Sequence, residues 1–207
     1  MFINRRKGEL NLKLVYYGPA LSGKTTNLEY IHQHTNPQMR GELVSLKTRE
    51  DRTVFFDYLM LDLGKIAGLR PKFSLYTVPG QVYYAVSRKL VLQGADGIVF
   101  VADSQRERLK ANLLGLQDMA KYMREMGLSP ARVPIIVQFN KRDLDDILST
   151  AELRRRLGLD RTDFPCIEAS ALYGEGVFKT LKTGIQAVIR QVQRHFKHSE
   201  MQRAPAS

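Results

Sequence analysis

The stretch Gly18-Pro19-Ala20-Leu21-Ser22-Gly23-Lys24-Thr25-Thr26 sets a lysine and a hydroxyl directly behind the second of two glycines spaced five apart. This is the pattern G-x-x-x-x-G-K-[ST]. Its glycines permit a tight loop whose backbone N–H groups turn inward around phosphate oxygens. A helix starting at the lysine adds partial positive charge from its N-terminus. Lys24 can then reach the β- and γ-phosphates, and the Thr25 hydroxyl can ligate Mg²⁺. The surrounding sequence meets the requirement of strand before and helix after. LNLKLVYYG is β-rich, and Lys24 to His34 reads as a helix stopped by Asn36-Pro37.

A phosphate loop does not choose the base. FNKRD, Phe139 to Asp143, ends a second apolar run. Asp143 can accept from the N1–H and the exocyclic amine of guanine. Adenine offers no donor at that ring nitrogen and would leave the carboxylate unpaired, which favours GTP and GDP. Asn140 would tie this loop to the phosphate loop, and the Lys141 stem would lie over the base. In EASAL, Ser170 and the backbone N–H of Ala171, with Leu172 following, suit a loop that meets the guanine carbonyl.

These residues need a frame that brings loops together. The β-like runs are LNLKLVYYG, TVFFDYLMLDLG, PKFSLYTVP, ADGIVFVADS, RVPIIVQFNK and FPCIEASA, and GKIAG would join the second to the third as a hairpin. Helical segments are expected at Gln81 to Gln93, Glu107 to Met126, Thr150 to Leu157 and Gly176 to about Phe196. The last carries Val177, Leu181, Ile185, Val188, Val192 and Phe196 on one face. The expectation is an α/β P-loop NTPase fold, a mostly parallel six-stranded sheet with helices on both faces. In such sheets ligands bind at the carboxyl ends of the strands. Residues 1–196 are read as a single domain, and 197–207 as a basic, disordered tail.

LYTVPGQVYY contains the Gly80-Gln81 pair of a nucleotide switch, but Thr77 stands where such switches carry an aspartate. Taken with VYYGPALSGKTTNLEYI, TVFFDY, SRKLVL, GADGIVFVADS and NKRDL, the chain resembles a small Ras-like GTPase. More narrowly it resembles the bacterial gliding-motility and cell-polarity GTPases of the MglA family, over about Asn11 to Val192. A threonine in place of the switch aspartate is itself a mark of that family. The resemblance implies that Gly80 donates to the γ-phosphate and Gln81 orients the attacking water. It implies Thr53, or else Thr48, as the second hydroxyl on Mg²⁺ beside Thr25. Arg52 matches the arginine that serves this family as an internal finger, with Arg49 as the alternative. Thr77 can offer a hydroxyl to a metal-bound water without the charge, so weaker Mg²⁺ binding is expected. Ala20 departs from the family's usual glycine. Its methyl near the γ-phosphate predicts slow hydrolysis, since small displacements there are costly.

The resemblance further implies a Roadblock-fold activating protein, and effector proteins at cell poles or in motility machinery. A GTP-bound scaffold with little hydrolysis is the competing function. Composition bounds the remainder. One cysteine, Cys166, excludes an internal disulfide framework and a four-thiolate zinc site. Neither an apolar leader, a spanning helix, a prenylation box nor a myristoylation glycine is evident, so a cytoplasmic protein is expected, peripheral at a membrane or pole at most. The net charge is +11. From Gly176 on, six basic residues face Glu200 alone, and from Met1 to Lys13 four face Glu9, so the two ends supply eight of those charges. That balance suits an anionic membrane surface or an acidic partner, with a solvated basic surface that meets no partner as the alternative. Nucleic acid is disfavoured, because no basic ribbon carries interleaved aromatics for base stacking.

Overall fold

The computed structural model describes residues 2–4, 8–47, 53–65, 69–79 and 85–201. Eight strands form one sheet: β1 (Phe2–Asn4), β2 (Glu9–Tyr17), β3 (Val44–Lys47), β4 (Thr53–Asp62), β5 (Arg70–Thr77), β6 (Gly97–Asp103), β7 (Ile135–Asn140) and β8 (Cys166–Glu168). Among the described residues five α-helices accompany them: α1 (Lys24–His34), α2 (Ala85–Leu92), α3 (Leu109–Glu125), α4 (Thr150–Arg156) and α5 (Val177–Met201). The strand order is β3-β4-β5-β2-β6-β7-β8, with β1 also pairing to β2. From β5 to β8 all neighbours run parallel, and β3-β4-β5 are antiparallel.

The six strands read from the sequence are all present, and two more join them. β3 is only four residues long and edges the sheet on β4. β1 is three residues long and pairs with Glu9–Asn11, along the edge of β2 that β6 leaves open by entering only at Leu14. Strands that short carry no legible alternation, which is why the count of six falls short. α5 also continues through Met201, beyond the end that the apolar stripe predicts at Phe196. The sequence there, KHSEM, carries no apolar stripe that would have marked the added turn.

Every residue of β6 and β7 is buried, as expected of strands covered on both faces. One face packs against α2, α3 and α4 through Val91, Met119, Met123 and Leu153. The other packs against α1 and α5 through Leu28, Ile31, Val177, Leu181 and Val188. A buried polar trio fixes the second layer. Asn27 and Gln138 exchange side-chain hydrogen bonds of 2.9 Å, and Gln138 also donates to the Thr180 hydroxyl at 3.0 Å, so β7 holds both helices in register.

α5 starts from a turn only glycine can make cheaply. Gly176 has φ +71°, and a Cβ there would lie 2.0 Å from the Glu168 carbonyl oxygen. Both the left-handed backbone and the clash with a strand penalise any side chain. Gly176→Ala is expected to destabilise the fold by about 2 kcal/mol or more, read as a lowered midpoint in urea unfolding.

Candidate nucleotide site

β2 ends at Tyr17 and α1 begins at Lys24, leaving residues 18–23 to turn the chain. The turn requires unusual backbone: φ is +149° at Gly18, +63° at Leu21 and +93° at Gly23. The glycines also permit close approach. A Cβ on Gly18 would sit 2.3 Å from the Val101 carbonyl oxygen, and one on Gly23 2.2 Å from Asn140 Nδ2. α1 has no side-chain cap and no acidic residue in its first turn, so its first N–H groups suit an anion.

Lys24 is buried and its Nζ donates to the Pro19 carbonyl at 2.6 Å. Its pKa is lowered to about 7, chiefly by burial, with Asp57 opposing and Arg88 and Arg108 adding to the fall. That electropositive surround favours a ligand carrying negative charge. Arg108, ahead of α3, donates to the Ala20 carbonyl at 2.7 Å and lies 3.7 Å from the buried Asp103 carboxylate. Asp103 also meets Lys141 Nζ at 2.7 Å, so one carboxylate links the phosphate loop to the FNKRD loop.

Asn140, 2% exposed at the end of β7, makes the central connection. Its Nδ2 donates to the Ser22 carbonyl and its Oδ1 accepts from the Ala171 N–H, both at 2.8 Å. The three loops that the sequence singles out are thereby brought to one place, at the carboxyl ends of the parallel strands. Lys141 adopts φ +66°, and its ammonium also reaches Gln105 Oε1 at 3.2 Å. Asp143 and Leu172 are exposed at this end, and the buried Ser170 hydroxyl has no hydrogen-bond partner among the described residues. The Ala171 N–H expected to face a guanine carbonyl is engaged by Asn140, so it would have to be shared to do both.

The third side of the site holds the residue that the sequence reading missed. Thr25 donates its hydroxyl to Asp57 Oδ2 at 2.5 Å, and Thr77 donates to the same oxygen at 2.7 Å. Thr77 Oγ1 in turn accepts from the Asp57 N–H at 2.8 Å, and Ser45 donates to Asp57 Oδ1. Asp57 is fully buried on β4. β4 and β5 run antiparallel with Tyr58 opposite Tyr76, which places Asp57 across from Thr77. The carboxylate absent from position 77 is thus supplied from the neighbouring strand. Its signal lay in TVFFDYLML, where Asp57 shares the buried, inward-facing set with Leu59 and Leu61. An acid in such a set is rare without a task.

These groups fit a divalent ion. A threonine hydroxyl that donates to a carboxylate still carries lone pairs able to ligate an ion, and the Asp57 carboxylate can orient metal-bound water. Among the described residues no three His, Cys, Asp or Glu side chains gather as a metal site. Gln81, Gly80, Arg52, Thr48 and Arg49 lie outside the described residues, and Thr53 is described only as the first backbone position of β4. No helix among the described residues is long and apolar enough to cross a membrane.

Residues 2–192 match the model of the ADP-ribosylation factor family. The chain is 47% identical over 193 residues to the mutual gliding-motility protein MglA of Myxococcus xanthus (strain DK1622), covering 93% of this chain and 98% of that one. It is 24% identical to ADP-ribosylation factor-like protein 6 of Caenorhabditis elegans, over 84% of this chain and 85% of that one. It is 26% identical to human ADP-ribosylation factor-like protein 4A, over 84% and 79% respectively.

Proposed function

The chain belongs to the ADP-ribosylation factor family as a small Ras-like GTPase of the MglA type, and on that premise we propose that it is a Mg²⁺-dependent GTP switch of cell polarity and gliding motility. The single observation that carries the site is the Asn140 side chain, which ties the phosphate loop to the FNKRD and EASAL loops. In this reading the backbone of residues 18–23 and Lys24 bind the phosphates, with Thr26 in the first turn of α1. Asp143 selects guanine, and Thr25 and Thr53 ligate Mg²⁺. Bound there, the ion neutralises charge developing between the β- and γ-phosphate oxygens.

Asp57 refines the expectation of weak Mg²⁺ binding. With a buried carboxylate already bonded to Thr25 and Thr77, Thr77 serves to hold Asp57 in place, and the metal site keeps its negative charge. Gly80 meets the γ-phosphate, Gln81 orients the water, and Arg52 neutralises transition-state charge once the loop that carries it is ordered. A Roadblock-fold activator would supply that ordering. Effectors at a cell pole or in motility machinery would read the GTP-bound loops.

The test is single-turnover phosphate release from the GTP-loaded protein, alone and with a Roadblock-type partner. Stimulated release that falls about a hundredfold or more in Gln81→Ala is expected. Tight GTP retention with no stimulation would instead make the protein a GTP-bound scaffold. Ala20 is the residue that favours this second reading, since it sits half-buried in the phosphate loop with its carbonyl held by Arg108. Ala20→Gly would then restore turnover.

A further inference from the structure

The face opposite the nucleotide loops has a charge pattern that the switch does not use. Asp96 precedes β6, Arg132 precedes β7, and both lie against the second half of α5. Between them runs a groove of about 510 Å³, with Arg132, Arg194, His195 and Gln191 around a floor of Val188 and Val192. α5 carries Lys179, Lys182, Arg190, Arg194 and Lys197, and no acid before Glu200.

Much of the surface charge elsewhere is paired. Arg70 meets Asp62, Arg142 meets Glu168 and Lys89 meets Glu125. Arg132, Arg190 and Arg194 are exposed and make no ion pair among the described residues. The one carboxylate at the groove, Asp96, is engaged by β2. Its Oδ2 accepts the Lys13 N–H at 2.8 Å, and its own N–H donates to the Lys13 carbonyl at 2.8 Å. Three exposed guanidinium groups thus stand on this face beside a single described carboxylate.

We propose that this groove, between the C-terminal half of α5 and the loops entering β6 and β7, seats the phosphate headgroups of an anionic membrane surface. Planar guanidinium groups match phosphate oxygens, and the valine floor accommodates the apolar part of a headgroup–glycerol junction. Among the described lining residues there is no Phe, Tyr or Trp, and the His195 imidazole by itself gives no run of rings on which successive bases could stack, which sets nucleic acid behind lipid. Docking by this face leaves Asn140 and Thr77, at the opposite ends of β7 and β5, directed away from the bilayer. The nucleotide loops would remain open to soluble partners.

The experiment is co-sedimentation of the full chain with vesicles of equal parts phosphatidylglycerol and phosphatidylcholine, against pure phosphatidylcholine, in both GDP and GTP-analogue states. Each basic residue near such a surface is worth roughly fivefold in partitioning, so R132E/R194E is expected to weaken binding about thirtyfold or more. K179E/K182E changes net charge equally at the other end of α5 and should stay within about twofold of the parent. R132E/R194E should keep the parent's melting midpoint and GTP turnover, which separates lost docking from lost folding. Equal losses in the two double variants would reduce the effect to net charge and overturn the proposal. So would a loss carried wholly by Lys197→Ala with Arg203→Ala at the C-terminal end, an absence of binding to the anionic vesicles, or groove-dependent retention of RNA without vesicle binding.

Discussion

Asp57→Asn is expected to speed nucleotide release by about ten- to a hundredfold at saturating Mg²⁺ and to flatten the dependence of release on Mg²⁺ concentration. The asparagine keeps the size of the side chain but loses the charge. Hydrogen bonds to a charged group contribute about 1.5–3 kcal/mol each, roughly twice a neutral pair. Two hydroxyls donate to Asp57 Oδ2, one of them on Thr25 at the start of α1. An amide at 57 can still turn one oxygen toward both hydroxyls, but without the charge, and it then sets an NH2 donor against the Ser45 hydroxyl that now donates to Oδ1. The measurement is the release rate of a fluorescent GDP across a Mg²⁺ titration. A second variant tests the strand exchange directly. Thr77→Asp combined with Asp57→Thr returns the carboxylate to β5 while keeping one acid and one hydroxyl between the two strands. The swap is expected to recover most of the Mg²⁺ dependence that Asp57→Asn loses. If Asp57→Asn leaves the Mg²⁺ dependence intact, the carboxylate serves packing of β4 on β5 and not the metal.

That residue also marks where sequence reasoning stopped. The phosphate loop was legible because its demand is local: glycines at fixed offsets, then Lys24 and Thr25 at a helix start. FNKRD was legible for the same reason, and the buried runs of β6 and β7 located both loops at strand ends. Asp57 could not be found this way. Its partners lie 32 and 20 residues away, and they meet only once the antiparallel register of β4 and β5 is set. Reading position 77 against a fixed motif showed a loss, whereas the neighbouring strand had supplied the charge. Arg108 was hidden likewise, because its contact with Ala20 spans 88 residues. The strands that escaped, β1 and β3, were missed through shortness, since three or four residues cannot display a period.

Asn140→Ala is expected to cost the most among single changes at the base-binding end, in both nucleotide retention and stability. The side chain is nearly fully buried and satisfies two backbone groups from different loops, the Ser22 carbonyl and the Ala171 N–H. Truncation leaves both without their partner in a place water reaches poorly. An unsatisfied buried group costs about 1–3 kcal/mol, so the pair is worth roughly 2–6 kcal/mol if neither relaxes. The amide also packs on Gly23, where a Cβ would lie 2.2 Å from Nδ2, so truncation opens a gap beside the phosphate loop. Relaxation would instead let the phosphate loop and the EASAL loop drift apart. GTP and GDP release should then accelerate together, by about five- to a hundred-and-fiftyfold if half of that energy is felt on binding. A thermal melt without nucleotide separates the two effects. A lowered midpoint with faster release fits a strut shared by fold and site. An unchanged midpoint with faster release would mean that Asn140 acts only on the bound base, and that the loops hold their positions by other contacts.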